Sequence, residues 1–350
     1  MCVVDVIEGN EIRRVLVTGG AGYIGSVLSA MLLDQGYKVS VLDRFFFGPT
    51  LKHLEGRGDL RLIKGDIRTF PPELLEGVDA VIDLAALSND PAGELEPEKT
   101  ISINYRGRAR VASLAKEKGV KRYILASSCS IYGFQDGVVD ETSSVNPLTT
   151  YAEANYQAEQ SVVPQGSENF IVTGVRQATV YGPSTRMRFD LAINGMTLGL
   201  FKTGKIPILR NGTQWRPMVH VQDTCRAFLR ILECEAQLVN GEIFNVGSDD
   251  QNFQILPLAQ RLAKATDRPF EFEWYGEPDH RSYQVSFRKI HDRLGYSTQF
   301  TPEDAAHDIY TSLENGSLVD DPTTRTVDWY QQLLSWHRVL QDIVLDDTVL

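Results

Sequence analysis

From residue 13 onward, the chain alternates short β-branched runs with amphipathic segments. The strand-like runs are RRVLVTG (13–19), YKVSVLD (37–43), DAVIDLA (79–85), KRYILASS (121–128) and FIVTGVRQ (170–177). Between the first two runs, apolar residues recur at helical spacing from Ile24 to Leu32, and residues 97–119 have the pattern of a longer helix. Strands separated by helices imply parallel strands with crossover connections. The pattern therefore predicts an α/β fold with a doubly wound parallel sheet.

Beyond residue 180 the pattern changes. Pro, Gly and Arg become frequent, and helical spacing returns at 223–235, at 254–265 and after Thr301, which can cap a helix with Pro302 in its first turn. We predict a dinucleotide-binding domain over residues 13–180, to which residues 219–250 return. Residues 181–350 are predicted to form a smaller α/β substrate-binding lobe with a helical appendage at the C-terminus.

Composition and charge narrow the class of protein. The net charge of −11 over 350 residues argues against a general nucleic-acid binder, so an anionic ligand has to be held by local arginines. The four cysteines are scattered without a CxxC pair, which indicates neither a disulfide framework nor a metal site. The segment MCVVDVIEGNEIRR lacks the apolar run of a signal peptide, and no stretch is apolar enough to span a membrane. We expect a soluble protein of the cytoplasm.

A glycine-rich turn follows the first strand. In VLVTGGAGYIGS, Gly19, Gly22 and Gly25 lie between a strand and a helix, where glycines allow a tight turn and close approach of a pyrophosphate. Asp43 ends the second strand, where a carboxylate can accept hydrogen bonds from ribose hydroxyls and repels a 2′-phosphate. This pattern favours NAD over NADP, although Arg44 weakens the preference slightly.

The chain resembles the extended short-chain dehydrogenase/reductases that modify nucleotide sugars, a family with a Rossmann sheet. The resemblance rests on TGGAGYIGS, LAALSND, SSCSIYG, YAEAN, RQATVYGP, WRPMVHVQD and FNVGS, which follow the family's order. It implies NAD as cofactor and a nucleotide-diphosphate sugar as substrate. The cofactor site that it implies consists of Gly19, Gly22, Tyr23, Ile24, Gly25, Asp43, Asp66, Ile67, Leu84, Ala85, Ala86, Asn104, Tyr151 and Asn155.

The catalytic motif of the family is altered in this chain. Family members use a serine or threonine, a tyrosine, and a lysine four residues after it, and these positions match Ser128, Tyr151 and Asn155. The lysine lowers the tyrosine pKa and hydrogen-bonds the nicotinamide ribose, whereas asparagine can only hydrogen-bond. Tyr151 is therefore expected to keep a pKa of about 10, which suits an acid better than a base. Replacing Asn155 with lysine is expected to raise the rate.

Three functions remain open from the sequence. The first is an NAD-dependent nucleotide-sugar epimerase that acts through transient hydride transfer and a keto-sugar intermediate. The second is a nucleotide-sugar ketoreductase, and the third is a catalytically impaired or silent binder of NAD and sugar nucleotides. The family's 4,6-dehydratases carry an Asp–Glu pair directly after the serine or threonine. Here those positions are Cys129 and Ser130, which argues against a dehydratase.

A diphosphate is best held by guanidinium groups, and several arginines are candidates. Arg216 and Arg281 match family positions that hold the diphosphate, and Arg186 and Arg188 are further candidates. The substrate site predicted from the resemblance consists of Ser88, Ser128, Cys129, Arg188, Asn194, Arg216 and Arg281. A homodimer is also expected, with segments 97–119 and 149–163 of the two chains in contact and with Val111, Leu114 and Ala115 as an apolar stripe.

Overall fold

The computed structural model describes residues 12–345 and residue 348, and its strands alternate with helices as predicted. The segment before Ile12, with Cys2 and most of the stretch considered as a signal peptide, lies outside the described residues. The strands are β1 (Arg14–Thr18), β2 (Lys38–Asp43), β3 (Leu60–Lys64), β4 (Ala80–Asp83), β5 (Arg122–Ser128), β6 (Phe134–Val139), β7 (Ile171–Gln177), β8 (Thr179–Tyr181), β9 (Ile206–Leu209), β10 (Trp215–His220), β11 (Glu242–Val246), β12 (Asn252–Gln254), β13 (Phe272–Tyr275) and β14 (Ser282–Val285).

Helices connect these strands. They are α1 (Tyr23–Asp34), α2 (Asp90–Gly93), α3 (Pro97–Ile101), α4 (Arg108–Glu117), α5 (Thr150–Val162), α6 (Ala192–Thr203), α7 (Val221–Glu233), α8 (Ala236–Val239), α9 (Ile255–Ala265), α10 (Arg288–Leu294), α11 (Pro302–Glu314) and α12 (Thr326–Ile343). Short 3₁₀ turns occupy Lys52–Leu54, Pro72–Leu75, Cys129–Tyr132, Val163–Gln165, Asp249–Gln251 and Pro322–Thr324. A π-helical turn, Ser102–Gly107, separates α3 from α4, so the helix predicted over 97–119 is interrupted just before Arg108.

The central sheet has seven parallel strands in the order β3-β2-β1-β4-β5-β7-β11. Strands β5 and β7 are buried along nearly their whole length, as expected for parallel strands covered on both faces. The chain runs outward from β1 to β3 and then returns to β4 on the other side of β1. The carboxyl ends of the strands at such a reversal form the usual ligand crevice of this architecture. The predicted doubly wound α/β fold is confirmed.

Helices cover both faces of the sheet. On one face, Val15 and Val17 of β1 share an apolar cluster with residues of α1, and on the other Leu16 packs with Val111 and Ala115 of α4. Two residues of the stripe considered for dimer contact are therefore buried within the chain's own core.

Helix α5 is fixed to the sheet by a buried ion pair. It begins after Thr149, whose hydroxyl accepts the N–H of Ala152. Glu159, two turns after the start, pairs with Arg176 of β7 at 2.8 Å and accepts the hydroxyl of Ser127 on β5. The C-terminal half of α5 is thereby fixed to the ends of β5 and β7.

The remaining strands form smaller sheets, β8-β10-β12, β9-β13 and β6-β14. Helices α6, α9 and α11 share a second apolar core that includes Ile193, Leu258 and Ala305. Strand β11 returns to the central sheet beside β7. We propose that the chain divides near residue 180 into a dinucleotide-binding domain and a substrate-binding lobe.

Helix α12 packs beside the loop that follows β2. The indole N–H of Trp329 donates to the carbonyl oxygen of Phe46 at 2.7 Å. The ring of Tyr330 lies 5.8 Å from that of Phe46 and 5.5 Å from that of Phe47, measured between centroids. The C-terminal appendage therefore contacts the N-terminal half of the molecule.

Within residues 12–345, no helix is long and apolar enough to cross a membrane. Cys129, Cys225 and Cys234 are buried and unpaired. The same described residues contain no group of three or more His, Cys, Asp or Glu side chains that could hold a metal ion.

Candidate active site

A cavity of about 920 Å³ lies at the carboxyl ends of the central strands, where the strand order reverses. Its walls come from three parts of the chain: the glycine turn with the ends of β2 and β4, the end of β5 with α5, and the later segments that carry Arg216 and Arg281. All three groups border one continuous space. A dinucleotide and a second nucleotide can therefore meet end to end inside it.

The turn after β1 suits a pyrophosphate. Gly19 has a φ of +68°, and a Cβ on Gly25 would lie 2.4 Å from the carbonyl oxygen of Gly19, so side chains are excluded there. Helix α1 starts at Tyr23 with no side-chain cap and no acidic residue in its first turn. Its first N–H groups have no intrahelical acceptor, so they and the helix dipole favour a phosphate. Gly22, Tyr23 and Ile24 line the cavity as predicted from the resemblance.

Asp43 lies on the cavity wall at the end of β2. Its carboxylate accepts the N–H of Ala21 at 3.0 Å and the N–H of Phe45 at 2.7 Å. Burial raises the pKa of Asp43, and the backbone N–H groups oppose that rise. The neighbouring Arg44 pairs with Asp66 at 2.8 Å instead. A 2′-phosphate would therefore meet a carboxylate, while Arg44 is already paired.

The other predicted cofactor residues fall into two groups. Asp66, Ile67, Leu84, Ala85 and Ala86 line the cavity. Asn104 is buried behind it, where its amide accepts the N–H of Leu87 at 2.8 Å and donates to the Leu87 carbonyl oxygen at 3.0 Å. The structure thus places Asn104 as a support of the loop after β4 instead of in the cavity wall.

Tyr151 and Ser128 lie together on the cavity wall. Burial raises the pKa of Tyr151, Asp90 adds to the rise, and a hydrogen bond from Ser128 lowers it, as do the charges of Arg108 and Arg188. The net result is a pKa above the ordinary value that the sequence predicts. The phenol is therefore protonated at neutral pH, ready to act as an acid and seldom available as a base.

Asn155 lies one helical turn after Tyr151, and its amide is held at both ends. Its Nδ2 donates to the carbonyl oxygen of Tyr151 at 2.9 Å, and its Oδ1 accepts a hydrogen bond from Nη1 of Arg108 at 3.0 Å. A guanidinium group thus contacts the side chain that replaces the family's lysine.

Arg108 belongs to a buried ion pair at the end of β4. The side chains of Arg108 and Asp83 are 1% and 0% exposed, and Nε of Arg108 lies 3.3 Å from Oδ2 of Asp83. Nη2 of Arg108 donates to the backbone carbonyl oxygens of Asp83 and Ala126. The hydroxyls of Thr18 and Tyr123 donate to the same carboxylate. The pair is therefore fully hydrogen-bonded, as a buried charge requires.

Cys129 and Ser130 form the turn after Ser128. The Cys129 thiol is buried, donates to the carbonyl oxygen of Arg176, and has its pKa raised by burial well above the usual value. It does not line the cavity, whereas Ser130 does. Among the described residues, the buried hydroxyl of Ser130 has no hydrogen-bond partner. The two positions after Ser128 therefore supply a thiol outside the cavity and a hydroxyl, and neither is a carboxylate.

Arg216 and Arg281 converge on one carboxylate. Oδ2 of Asp279 accepts from Nη2 of Arg216 at 2.6 Å and from Nη2 of Arg281 at 2.7 Å. Arg281 also pairs with Asp90. Both guanidinium groups line the cavity. The structure therefore brings together the two arginines that the resemblance assigns to a diphosphate.

Arg188 lies apart from that cluster. It pairs with Asp190 at 2.6 Å and donates to the hydroxyl of Ser88 at 3.2 Å. Asn194 is wholly buried, and its amide accepts the N–H of Gly182 and donates to the Tyr23 hydroxyl. Arg188 and Ser88 thus share the cavity wall near Tyr151, whereas Asn194 supports the wall from behind.

The C-terminal appendage contributes to the cavity. Arg186 lies 3.6 Å from the centroid of the Phe47 ring and donates to the Thr326 hydroxyl at 2.9 Å, which joins the appendage to the loop after β2. The cavity residues contributed by the appendage are Arg325, Val327, Asp328 and Tyr330.

Sequence reasoning missed Asp83, Arg108, Asp279 and the lining residues of the appendage. For Asp83 a signal existed, because a carboxylate within the apolar run DAVIDLA requires a buried cation. Arg108 is one of three arginines in NYRGRAR, and spacing alone does not show which of them turns inward.

Comparisons with known proteins identify the family of the chain. A model of the NAD dependent epimerase/dehydratase family matches residues 15–247. The chain is 26% identical over 338 residues to a UDP-N-acetyl-alpha-D-glucosaminuronate decarboxylase of Bacillus cytotoxicus, covering 92% of this chain and 98% of that protein. It is 29% identical over 294 residues to an uncharacterised UDP-glucose epimerase of Bacillus subtilis, covering 79% of this chain and 90% of that protein.

A solved structure has the same fold. MoeE5, in complex with UDP-glucose and NAD, superposes with a TM-score of 0.77 at 25% sequence identity, covering 87% of this chain and 100% of that chain. The predicted family and fold class are confirmed.

The position of Asp43 predicts which dinucleotide binds more tightly. We expect NAD to bind more tightly than NADP. Asp43→Asn is expected to narrow the preference by about tenfold because it removes the repulsion of a 2′-phosphate. The substitution should also lower the affinity for both dinucleotides, since the amide N–H₂ of asparagine would face a backbone N–H. Calorimetry with both dinucleotides measures this, with Asp34→Asn at the exposed end of α1 as control. Tighter binding of NADP by the unaltered protein would contradict the assignment.

Proposed function

The chain belongs to the NAD-dependent epimerase/dehydratase family, and we propose that it is a nucleotide-sugar epimerase that acts through transient hydride transfer and a keto-sugar intermediate. The cofactor of the family is NAD. The glycine turn, the uncapped start of α1 and the carboxylate of Asp43 fit that cofactor.

The continuous cavity is the observation that carries the proposal. Tyr151 and Ser128 lie on its wall, with the glycine turn and Asp43 among the cofactor residues and Arg216 and Arg281 among the substrate residues. A nucleotide sugar held by its diphosphate at the two arginines can extend its sugar to Tyr151. The relatives are named for UDP-sugar substrates, which is consistent with this arrangement.

The site residues divide the chemistry of such a reaction. Bound NAD would supply the hydride acceptor and, once reduced, the hydride donor. Tyr151 takes the proton of the sugar hydroxyl during oxidation and gives it back during reduction. Ser128 hydrogen-bonds the phenol. Because burial raises the pKa of Tyr151, fewer than about one phenol in a thousand is ionised at pH 7, and oxidation should speed up as pH rises.

The geometry disfavours elimination of water. A dehydratase needs a second acid and base beside the tyrosine. Cys129 is buried outside the cavity with its thiol protonated, and Ser130 carries only a hydroxyl.

The C-terminal appendage favours an epimerase over a ketoreductase. An epimerase regenerates its cofactor in each turnover, whereas a ketoreductase has to exchange it. Tyr330 and its neighbours line the same cavity as Asp43 and are joined to the loop at Phe46 and Phe47. This arrangement supports retention of the cofactor.

The decisive experiment follows both the sugar and the cofactor. Purified protein with NAD is given UDP-glucose, UDP-glucuronic acid and UDP-N-acetylglucosamine in turn, and the products are separated while the absorbance of the reduced nicotinamide is recorded. We expect an epimer to form without net change of cofactor. Net accumulation of reduced cofactor identifies an oxidoreductase that releases a keto-sugar, which is the reverse of ketoreduction, and release of carbon dioxide identifies a decarboxylase. No product with any of these sugars, despite their binding, would favour the silent binder.

We further propose that Arg216 and Arg281 hold the diphosphate. Removing one guanidinium from a buried charge pair costs about 2–5 kcal/mol, so Arg216→Ala should weaken UDP at least tenfold. Affinity for NAD should change little. Calorimetry with UDP and NAD tests this, and Arg268→Ala, at an exposed arginine paired with Glu314, is the matched control. Unchanged affinity for UDP would refute the role of Arg216.

A homodimer is part of the proposal. Leu114 is partly exposed on α4, and Ser113, Lys116 and Gln160 are exposed on α4 and α5. Light scattering at micromolar concentration should give twice the chain mass of 39.1 kDa. A mass equal to one chain would contradict the dimer.

We also propose a cytoplasmic location. The three cysteines in the described part of the chain form no disulfide bond, and cysteines are usually unpaired in proteins of a reducing compartment.

A further inference from the structure

Arg108 is a buried cation in contact with the residue that replaces the family's lysine. We propose that Arg108 is a positioning residue: it orients the amide of Asn155 and places positive charge near the Tyr151 phenol. The inference rests on the proposed function in taking Tyr151 as the acid and base. It does not depend on which sugar the protein accepts.

The contacts of Asn155 permit one orientation of its amide. Oδ1 accepts from Nη1 of Arg108, and Nδ2 donates to the carbonyl oxygen of Tyr151. Turning the amide over would set N–H groups against the guanidinium and an oxygen against a carbonyl oxygen, so both hydrogen bonds would be lost. Nδ2 has a second hydrogen with no protein acceptor in the described chain, and Asn155 borders the cavity. Arg108 therefore keeps a donor available to a ligand there.

Charge is the second contribution of Arg108. The charged groups that act on the Tyr151 phenol are Asp90, Arg108 and Arg188. Burial and Asp90 raise the phenol pKa, whereas both arginines lower it. Asp83 faces Arg108 and offsets part of its charge. Arg188 is likewise paired, with Asp190. Without Arg108 the phenol would be still harder to ionise.

Arg108 and Asn155 form a matched pair. A lysine at 155 would place an ammonium group against the buried guanidinium, and like charges in contact repel strongly. The restoration of activity expected from Asn155→Lys on sequence grounds therefore requires that Arg108 be neutralised as well. The structure thus explains how the lysine can be absent while a cation remains next to that position.

The charge role is tested with Arg108→Gln combined with Asp83→Asn, which removes both charges and leaves no carboxylate unpaired. Ionisation of Tyr151 is measured as the difference in phenolate absorbance between each variant and the same variant carrying Tyr151→Phe. We expect the midpoint of Tyr151 ionisation to rise by about one pH unit, which is the effect of losing a nearby opposite charge. The epimerisation rate near neutral pH should fall about tenfold with its pH profile displaced by the same amount.

Conservative and control variants separate this role from a structural one. Arg108→Lys keeps the charge and should keep the midpoint close to that of the parent. Arg106→Gln removes an exposed arginine two residues earlier and should change neither the midpoint nor the rate. An unchanged midpoint in the neutralised variant, or an equal shift in Arg106→Gln, would overturn the proposal.

The exchange of residues gives an independent test if the neutralised variant does not fold. Asn155→Lys alone should lower the temperature midpoint of denaturation. Adding Arg108→Gln should recover part of that loss, because the repulsion between the two cations is removed, and it should bring the ionisation midpoint of Tyr151 to or below that of the parent. Additive effects of the two substitutions would contradict the pairing. The titration needs no substrate. A shifted midpoint without epimer formation would overturn the proposed function alone, whereas epimer formation with an unshifted midpoint would overturn the role of Arg108 alone.

Discussion

The ion pair between Asp83 and Arg108 is the constraint on which the active site depends. It connects the ends of β4 and β5 with α4, and through Asn155 it reaches α5. Breaking such a buried pair by removing one partner costs about 3–5 kcal/mol, because the other charge is left without compensation. The bonds from Thr18 and Tyr123 complete the carboxylate's coordination. Together with Glu159 and Arg176, which fix the far end of α5, this pair sets where Tyr151 and Asn155 lie.

Other arginines around the cavity are also paired with carboxylates. Arg44 pairs with Asp66, Arg188 with Asp190, and both Arg216 and Arg281 with Asp279. A chain with a net charge of −11 thus pairs these four cavity arginines with carboxylates, whereas Arg186 bonds the Thr326 hydroxyl. In the proposed role of Arg216 and Arg281, a diphosphate would compete with Asp279 for its guanidinium partners, which would lower the affinity for any single phosphate. Two linked phosphates that contact both arginines at once can offset that competition. The arrangement would therefore favour a diphosphate over a single phosphate.

The sequence predicts the parts of this protein that depend on periodicity and local chemistry. The strands, the glycine turn, Asp43 at the end of β2 and the helix cap at Thr301 all follow from nearby residues. What it does not predict are contacts between distant segments. The inward turn of Arg108 depends on the π-helical turn before it and on Asp83, 25 residues away. The contact of α12 with Phe46 joins residues 283 positions apart, which no local pattern encodes.

The asparagine at position 155 and the appendage that lines the cavity have a common consequence for the proposed reaction. A dehydrogenase that releases its product after one hydride transfer has to return the proton of its tyrosine to solvent in every turnover. A buried phenol with a raised pKa releases that proton slowly. An epimerase gives the same proton back to the sugar when the keto-sugar is reduced, and it keeps its cofactor. Within one closed cycle, Tyr151 therefore returns to the ionisation state in which it began. Loss of the lysine thus limits how often a cycle starts more than how it proceeds, and an epimerase tolerates Asn155 better than an enzyme of net oxidation would.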